Sequence, residues 1–425
     1  MTVVAASRRA RLGRGRESQG EGMMYRLLLC AVVSCPVVAF AQTVAPEIVA
    51  EPLTLDTTDA AVDAPDPASL ESDGADPLVP DVVLDEPPLA SPLVESRPHR
   101  RRAARAAIVA EPRDYVVLDF LFLDRDNATN NQPIVVQAAS SPSPGATVLT
   151  TRSMTPTTAP GVRLFVGRHA CDRTGWEVGY WGAYGFFGDT RADLASGLAV
   201  PGDLGSAVPG WNSATTVRAA WQSSLNVAEL NLLRSEFSTL CEPCSAKPWR
   251  RCRQDREFDW IGGLFWAGLD EQAALLVTAA PGDPSTVYRV ATASNLVGGQ
   301  LGGRGRWTWD RFSFEGSLKA GLGGAWLEQS ASPITSSLAP GVEYRRGQRS
   351  LDTGMGFLSS MNATVAYRFT DTWGLRAGYN LAWLSGVALA PNQWDFTDTT
   401  ASGTAVRGAG GVFLHGANLG LEARW

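Results

Sequence analysis

Apolar and polar residues alternate one by one over long stretches of this chain. Phe312, Phe314, Gly316, Leu318, Ala320 and Leu322 share one parity, and Ser313, Glu315, Ser317, Lys319, Gly321 and Gly323 the other. Side chains of a strand point to opposite faces in turn, so a period of two predicts a strand with one apolar and one polar face. The tight connection Trp309-Asp310-Arg311 joins it to a glycine-rich arm from Asn295 that carries Gln300 and Arg304, which predicts a hairpin over 295–324. Alternation is cleanest in Trp373–Leu384, where Trp373, Leu375, Ala377, Tyr379, Leu381 and Trp383 oppose Arg376, Gly378 and Asn380. Likewise Trp176, Val178, Tyr180 and Tyr184 oppose Glu177, and Ala228, Leu230 and Leu232 oppose Glu229 and Asn231.

The same reading along the chain predicts strands over 114–124, 161–169, 175–186, 224–236, 258–270, 295–307, 312–327, 356–369, 373–384 and 412–425. The connections between them alternate in length. Long ones are expected over 125–160, 187–223, 271–294, 328–355 and 385–411, and short ones over 170–174, 308–311 and 370–372. Connection 237–257 breaks the pattern by being long. A soluble sandwich has no reason for such an alternation, whereas an outer-membrane barrel has short turns on one side and long loops on the other. The expected fold is therefore all-β: a closed antiparallel transmembrane β-barrel of about ten strands, within a range of about eight to twelve. Closure also leaves no unpaired backbone in lipid. Trp373, Tyr379, Trp383 and the final Trp425 are expected at the membrane interfaces, where aromatic rings favour the headgroup level.

The N-terminal quarter reads differently. Residues 1–22 are basic and irregular, as from an upstream start. Met23 or Met24, Arg26, the apolar run 27–38 and Ala39-Phe40-Ala41 then form the pattern of a secretory signal, so 1–41 is assigned to start and signal. Val32-Val33-Ser34-Cys35 resembles a lipidation box, with Pro36 an unusual follower. Residues 42–112 form a Pro/Ala/acidic linker that cannot bury enough surface to offset its ordering entropy, so disorder is expected there. The linker ends in Arg97, Arg100, Arg101, Arg102 and Arg105, a solvated cluster or a contact for acidic lipid headgroups. The folded unit expected is 113–425, with the linker periplasmic and the barrel in the outer membrane.

Composition agrees. The 425 residues include 43 Gly and 14 Trp but only 37 Lys and Arg, as suits barrel strands and aromatic girdles. The formal net charge of −6 argues against a nucleic-acid partner. A mean hydropathy of −0.06 is low for a helical membrane protein and no obstacle to a barrel, whose strands turn one face to a polar lumen. Of six cysteines, Cys30 and Cys35 lie in the signal. Cys171, Cys241, Cys244 and Cys252 all fall in periplasmic connections, which makes two disulfides the leading expectation. Spacing cannot choose among the three pairings, and a zinc site or free thiols are the alternatives.

The C-terminus places Asn418, Gly420, Ala423 and Trp425 as in an outer-membrane assembly signal, implying barrel-assembly machinery as a partner. With AELNLLR, GGLFWAGLDE, NLVGGQLG, FSFEGSLKAGLG and the first strand VLDFLFLDRDN, the stretch 114–425 resembles the planctomycete beta-barrel porin-like outer-membrane family. That resemblance implies a barrel without an assigned reaction. The chain departs from it at Phe265, where a basic residue is expected, which lowers the charge of that part of the wall.

Candidate chemistry is sparse. The histidines are His99, His169 and His415, and no HExxH, phosphate-loop or GxSxG motif occurs. A rim hydrolase would need His415 with Asp270 or Asp189, a pairing that spacing does not demand. The inward charges carry more weight. Glu177, Glu229, Asn231, Gln300, Arg304, Glu315, Lys319, Arg368, Arg376, Asn380, Glu422 and Arg424 are expected to line the lumen, where their mixed signs favour a plug over a narrow polar pore. The expected function is non-catalytic: a structural or surface-interaction barrel, or a narrow porin-like channel for small polar solutes or ions. The partners are outer-membrane lipid and, in an oligomer, further copies of the chain. No cofactor or metal is expected. A rim hydrolase and a soluble exported β-sandwich are the alternatives.

Overall fold

The computed structural model describes residues 113–138, 145–170, 173–238 and 255–425. The expected signal, linker and basic cluster, and Cys171, Cys241, Cys244 and Cys252, lie outside these residues. Ten long strands follow in chain order: β1 (Arg113–Arg125), β2 (Ala159–His169), β3 (Thr174–Ala199), β4 (Ala214–Ser238), β5 (Asp255–Thr278), β6 (Thr286–Trp309), β7 (Phe312–Ala331), β8 (Gln348–Arg368), β9 (Trp373–Val387) and β10 (Gly410–Arg424). Each pairs antiparallel with its neighbours in sequence. β1 also pairs with β10, from Tyr115↔Arg424 to Arg125↔Leu414, so the sheet closes on itself. The fold is a closed, all-β, ten-stranded antiparallel barrel of the transmembrane type, as its alternation predicts.

Alternation becomes wall chemistry in the lower half, the end that carries the short connections 170–173, Asp310–Arg311 and 369–372. Here Phe314, Leu318, Leu322, Leu232, Leu301, Leu264 and Leu375 are exposed on the outside. Trp176, Trp260, Trp307, Trp309 and Trp373 rim this belt toward the short turns, and Trp326 and Trp383 stand toward its other side. Such a girdled apolar band is what lipid requires of a barrel wall. Asp310, at φ 55°, makes the two-residue turn between β6 and β7; such left-handed backbone is tolerated better by Asp than by most side chains.

The other end corrects two expected loops. Segments 187–223 and 271–294 are largely strand: β3 runs to Ala199, β4 starts at Ala214, and only 279–285 separates β5 from β6. The reason is a reversal of polarity across the wall. In the lower half apolar residues face outward, whereas in the upper half Val217, Ala219, Trp221, Tyr288 and Val290 are buried inside and Arg191, Asp193 and Arg218 face out. Those positions belong to a wall with water outside and a protein core inside. On β3 the phase changes at Gly185, φ +82°, where a bulge lies between Tyr184 and Phe186. One extra residue moves Phe186 inside and leaves Phe187 outside.

The tall half of the wall, β3 to β8, encloses a core made by the loops. Short strands Pro133–Gln137 and Thr147–Thr150, helix α1 (Gly202–Ala207), the pair Ile334–Thr335/Glu343–Arg345 and a 3-10 turn at Ala390–Gln393 fill it. Trp211, Trp394, Tyr288, Met154, Ile134 and Leu204 are fully buried there. The barrel is thus capped from within at its loop end.

Candidate functional site

The lumen is the candidate site, because that is where strand parity collects charge. Six carboxylates, Asp119, Glu177, Glu229, Asp259, Glu315 and Glu422, meet six cations, Arg163, Arg304, Arg306, Lys319, Arg376 and Arg424. Arg304 Nη1 donates to Glu177 Oε2 at 2.6 Å and Nη2 approaches Asp259 at 3.3 Å, while the Tyr115 hydroxyl donates to Glu177 at 2.6 Å. Lys319 pairs with Glu229, which also accepts from Gln300 at 2.9 Å and Asn231 at 3.1 Å. Arg306 and Arg376 grip opposite oxygens of Glu422 at 2.7 and 3.1 Å. Arg424 donates to Glu315 at 3.2 Å. Arg163 donates to Asp119 at 2.8 Å and to Asn380 at 2.6 Å, leading into an amide ladder of Asn362, Asn380 and Asn418. Burying one such charge alone would cost several kcal/mol, so the two signs must meet as they do.

Above this network lies an apolar layer across the lumen, with Leu121, Leu123, Trp181, Phe265, Leu296, Leu384 and Leu414 buried. Phe265 is inward and 2 % exposed. A Cβ at Gly321 would stand 2.6 Å from its ring, so glycine there makes room for it. Next comes one isolated pair, Arg125 and Glu271, at 2.5 Å with side chains 1 % and 0 % exposed. Arg125 also lies over the Trp221 ring, 4.3 Å from its centroid. The segment after β9 dips in here: Ala390 N donates to Glu271 Oε2 at 2.8 Å, Ala388 N to Ser294 at 3.0 Å, and Thr292 donates to Ala388 O at 2.9 Å. Voids of about 70 and 50 Å³ lie in the lower lumen.

The residues expected to line the lumen are on its inner face. Arg368 shares that parity at the short-turn end. Sequence reasoning missed Tyr115, Asp119, Arg163, Asp259, Arg306 and Asn362. Parity was the available signal: Asp119 opposes the outward Phe120, and Arg306 shares the parity of Arg304. Asn418 and Gly420, expected in an assembly signal, also serve the network. Asn418 joins the amide ladder, and Gly420 faces Asp119, whose carboxylate a Cβ at that position would strike. Trp373, Trp383 and Trp425 are outward and exposed. Tyr379 lies between the first two along β9 and shares a 2.8 Å hydrogen bond with His415 Nδ1. His415 is on the outer face of β10, Asp270 on the outer face of β5 across the ring, and Asp189 is held by Arg218 at 2.8 Å. The structure does not bring these three together.

No protein-family model and no curated protein matches the chain. Among solved structures, it is similar to a Pseudomonas aeruginosa FadL homologue (8 % identity, 74 % of this chain and 90 % of that one, TM-score 0.20). It is also similar to a deletion mutant of the TodX monoaromatic hydrocarbon channel (11 % identity, 74 % and 90 %, TM-score 0.22) and to the outer-membrane protein OmpT of Vibrio cholerae (9 % identity, 74 % and 98 %, TM-score 0.14). At TM-scores this low, the fold of this chain rests on its own strand pairing.

Proposed function

We propose that this chain is an outer-membrane barrel whose lumen is closed by its own side chains, and that it acts as a non-catalytic structural or surface-interaction protein. The short-turn end faces the periplasm and the capped loop end faces outward. The observation that carries this reading is the filling of the lumen: a charge-balanced network, an apolar layer, the Arg125–Glu271 pair and the loop-end core lie in succession. A small barrel is filled by side chains, and voids of about 70 and 50 Å³ lie among those of the lower lumen. The girdled apolar belt supports the membrane placement. The outward, separated positions of His415, Asp270 and Asp189 weigh against a rim hydrolase.

Single-channel recording of the folded full chain in a planar bilayer tests the proposal, with an unboiled gel shift as the check on folding. A folded barrel without steady conductance is expected. Steady conductance whose ion preference changes in Lys319→Glu would replace it with the narrow-channel reading, which the two voids favour.

A further inference from the structure

The apolar outer face does not end at one height around the ring. Followed from strand to strand through β9, β10 and β1 and on to β7, the cross-strand partners of Tyr367 lead back to β8 at Met355. The circuit from 367 to 355 gains twelve residues toward the loop end, so a row of partners climbs the wall from each strand to the next. At about 3.3 Å per residue and a tilt of about 40°, one circuit climbs about 30 Å. In one such row Asp270 on β5, Ala293 on β6, Glu328 on β7 and Leu351 on β8 are successive partners. Asp270 is exposed on the outer wall, and Glu328 pairs there with Arg349 at 2.6 Å. Leu351 stands higher than both carboxylates, yet it is 74 % exposed, and Met355 is 76 % exposed. Trp326, the partner of Thr353, lies between them and is exposed too. Trp383 is the partner of Ser359, eight residues short of Leu351. Leu351 therefore stands roughly 15–20 Å above Trp383.

Among the described residues, no strand covers this corner. β8 pairs with β7 from Gln348 but with β9 only from Phe357, because β9 leaves the wall after Val387. Thr353 N accordingly donates to the side chain of its neighbour Asp352, at 2.8 Å, and not to a further strand. Lipid does not reach Leu351 either, since an apolar band of about 25 Å ends below it. An apolar patch left in water marks a contact surface. This one runs without a break into the lipid-facing Leu322, Leu318 and Met361 below. Its occupant must therefore sit in the same membrane and present apolar surface above it, at the same height. A second copy of this barrel meets both conditions. The rim agrees: Arg349 and Glu328 supply one charge of each sign, so two facing patches bring together no excess of like charge.

We propose that two copies of the barrel associate through the outer face of β7 and β8, with Trp326, Leu351 and Met355 at the centre of the contact. This rests on the membrane placement proposed above. Copies in one membrane share one orientation, so the axis relating them lies along the membrane normal, and a two-fold contact sets the patch against itself. The drive comes from the part above the bilayer. Within lipid, an apolar side chain gains no hydrophobic stabilisation by exchanging lipid for protein, whereas Trp326, Leu351 and Met355 leave water. The belt residues beneath extend the contact without driving it.

Energy transfer between donor- and acceptor-labelled copies of the full chain, folded into lipid vesicles and diluted with lipid, tests this. Association is expected. It should weaken about a hundredfold in Leu351→Ser, because two leucines leave each dimer contact, and change less than about threefold in Leu318→Ala, whose side chain faces an apolar medium in either state. Both residues are on the outer face, and the unboiled gel shift shows that each variant folds. A photo-crosslinker at position 351 in outer membranes should yield a product of twice the chain's mass. Crosslinks to lipopolysaccharide alone, or to a different protein alone, overturn the proposal. Flotation with the vesicles separates its failure from that of the membrane placement. A chain that does not float removes the placement and this contact with it. A chain that floats but shows no energy transfer, or transfer unaltered by Leu351→Ser, overturns the contact alone.

Discussion

Lys319 and Glu229 show what single residues do in this wall. Each is buried, and neither is tolerable alone. Lys319→Met should destabilise the barrel by about 3–5 kcal/mol, because it strands a buried carboxylate. The double variant Lys319→Met/Glu229→Leu should recover most of that loss, since an apolar pair of similar volume is often neutral. Urea unfolding in lipid vesicles, followed by tryptophan fluorescence, measures both; equal losses in the two variants would contradict this account. Asp395, in the loop-end cap, supplies the pH dependence. Burial pushes its carboxyl up, but bonds from Thr397 at 3.0 and 2.7 Å and from Gly403 N at 2.8 Å, with the Arg345 charge, hold it below the ordinary value. A carboxyl with a lower pKa when folded binds fewer protons folded than unfolded. Its contribution is therefore complete above about pH 4 and is lost as the pH falls through the lowered value. Hydrogen exchange over 395–403, corrected for intrinsic rates, should stay flat down to about pH 4 and rise below it, and Asp395→Asn should remove the dependence.

At the scale of elements, the glycines and one bulge decide which face each side chain takes. Gly321 leaves room for the Phe265 ring. Gly321→Ala should cost about 1–3 kcal/mol by overpacking, and Phe265→Leu should relieve only the part owed to the ring, since a Cβ there also stands 2.8 Å from Gly299 O; additive urea midpoints would show that the two residues do not share space. On β3, Gly185 carries the extra residue that turns Phe186 inward. Deleting it should restore plain alternation, with Tyr184 outward and Phe186 still inward opposite Ser223, so the loop-end core should keep its β3 side. Protease cutting of the cap in a deletion variant that still shifts on an unboiled gel would contradict this account. The cap itself hangs on β5 and β6 through Glu271, Thr292 and Ser294.

The whole molecule is two environments on one closed sheet. Below, lipid lies outside and a polar network inside; above, water lies outside and an apolar core inside. Because the lumen is closed at successive levels, removing one level should not open it. Replacing 390–405 with a short Gly/Ser turn removes the segment that carries Trp394 into the cap but leaves the apolar layer and the charged network in place. Conductance in a planar bilayer should stay at baseline in that variant. A steady current would show that this segment alone closes the barrel.

Much of this was legible in the sequence because strand parity is a local property. Alternation located all ten strands, put Glu177, Glu229, Lys319 and Arg376 on the inner face and Leu318, Leu322 and Leu375 on the outer one, and made a closed barrel the natural fold. It failed where its usual signal reversed: from Asp189 to Ala199 the polar residues face outward because water, and not lipid, surrounds that height of the wall. Partners were beyond its reach. Arg304 meets Glu177 at a separation of 127 residues and Arg306 meets Glu422 at 116. No spacing rule links them, because strand register and closure of the ring bring them together. The residue types and their faces were settled by the chain itself. Which charge met which, and that the lumen filled, were decided only when the sheet closed.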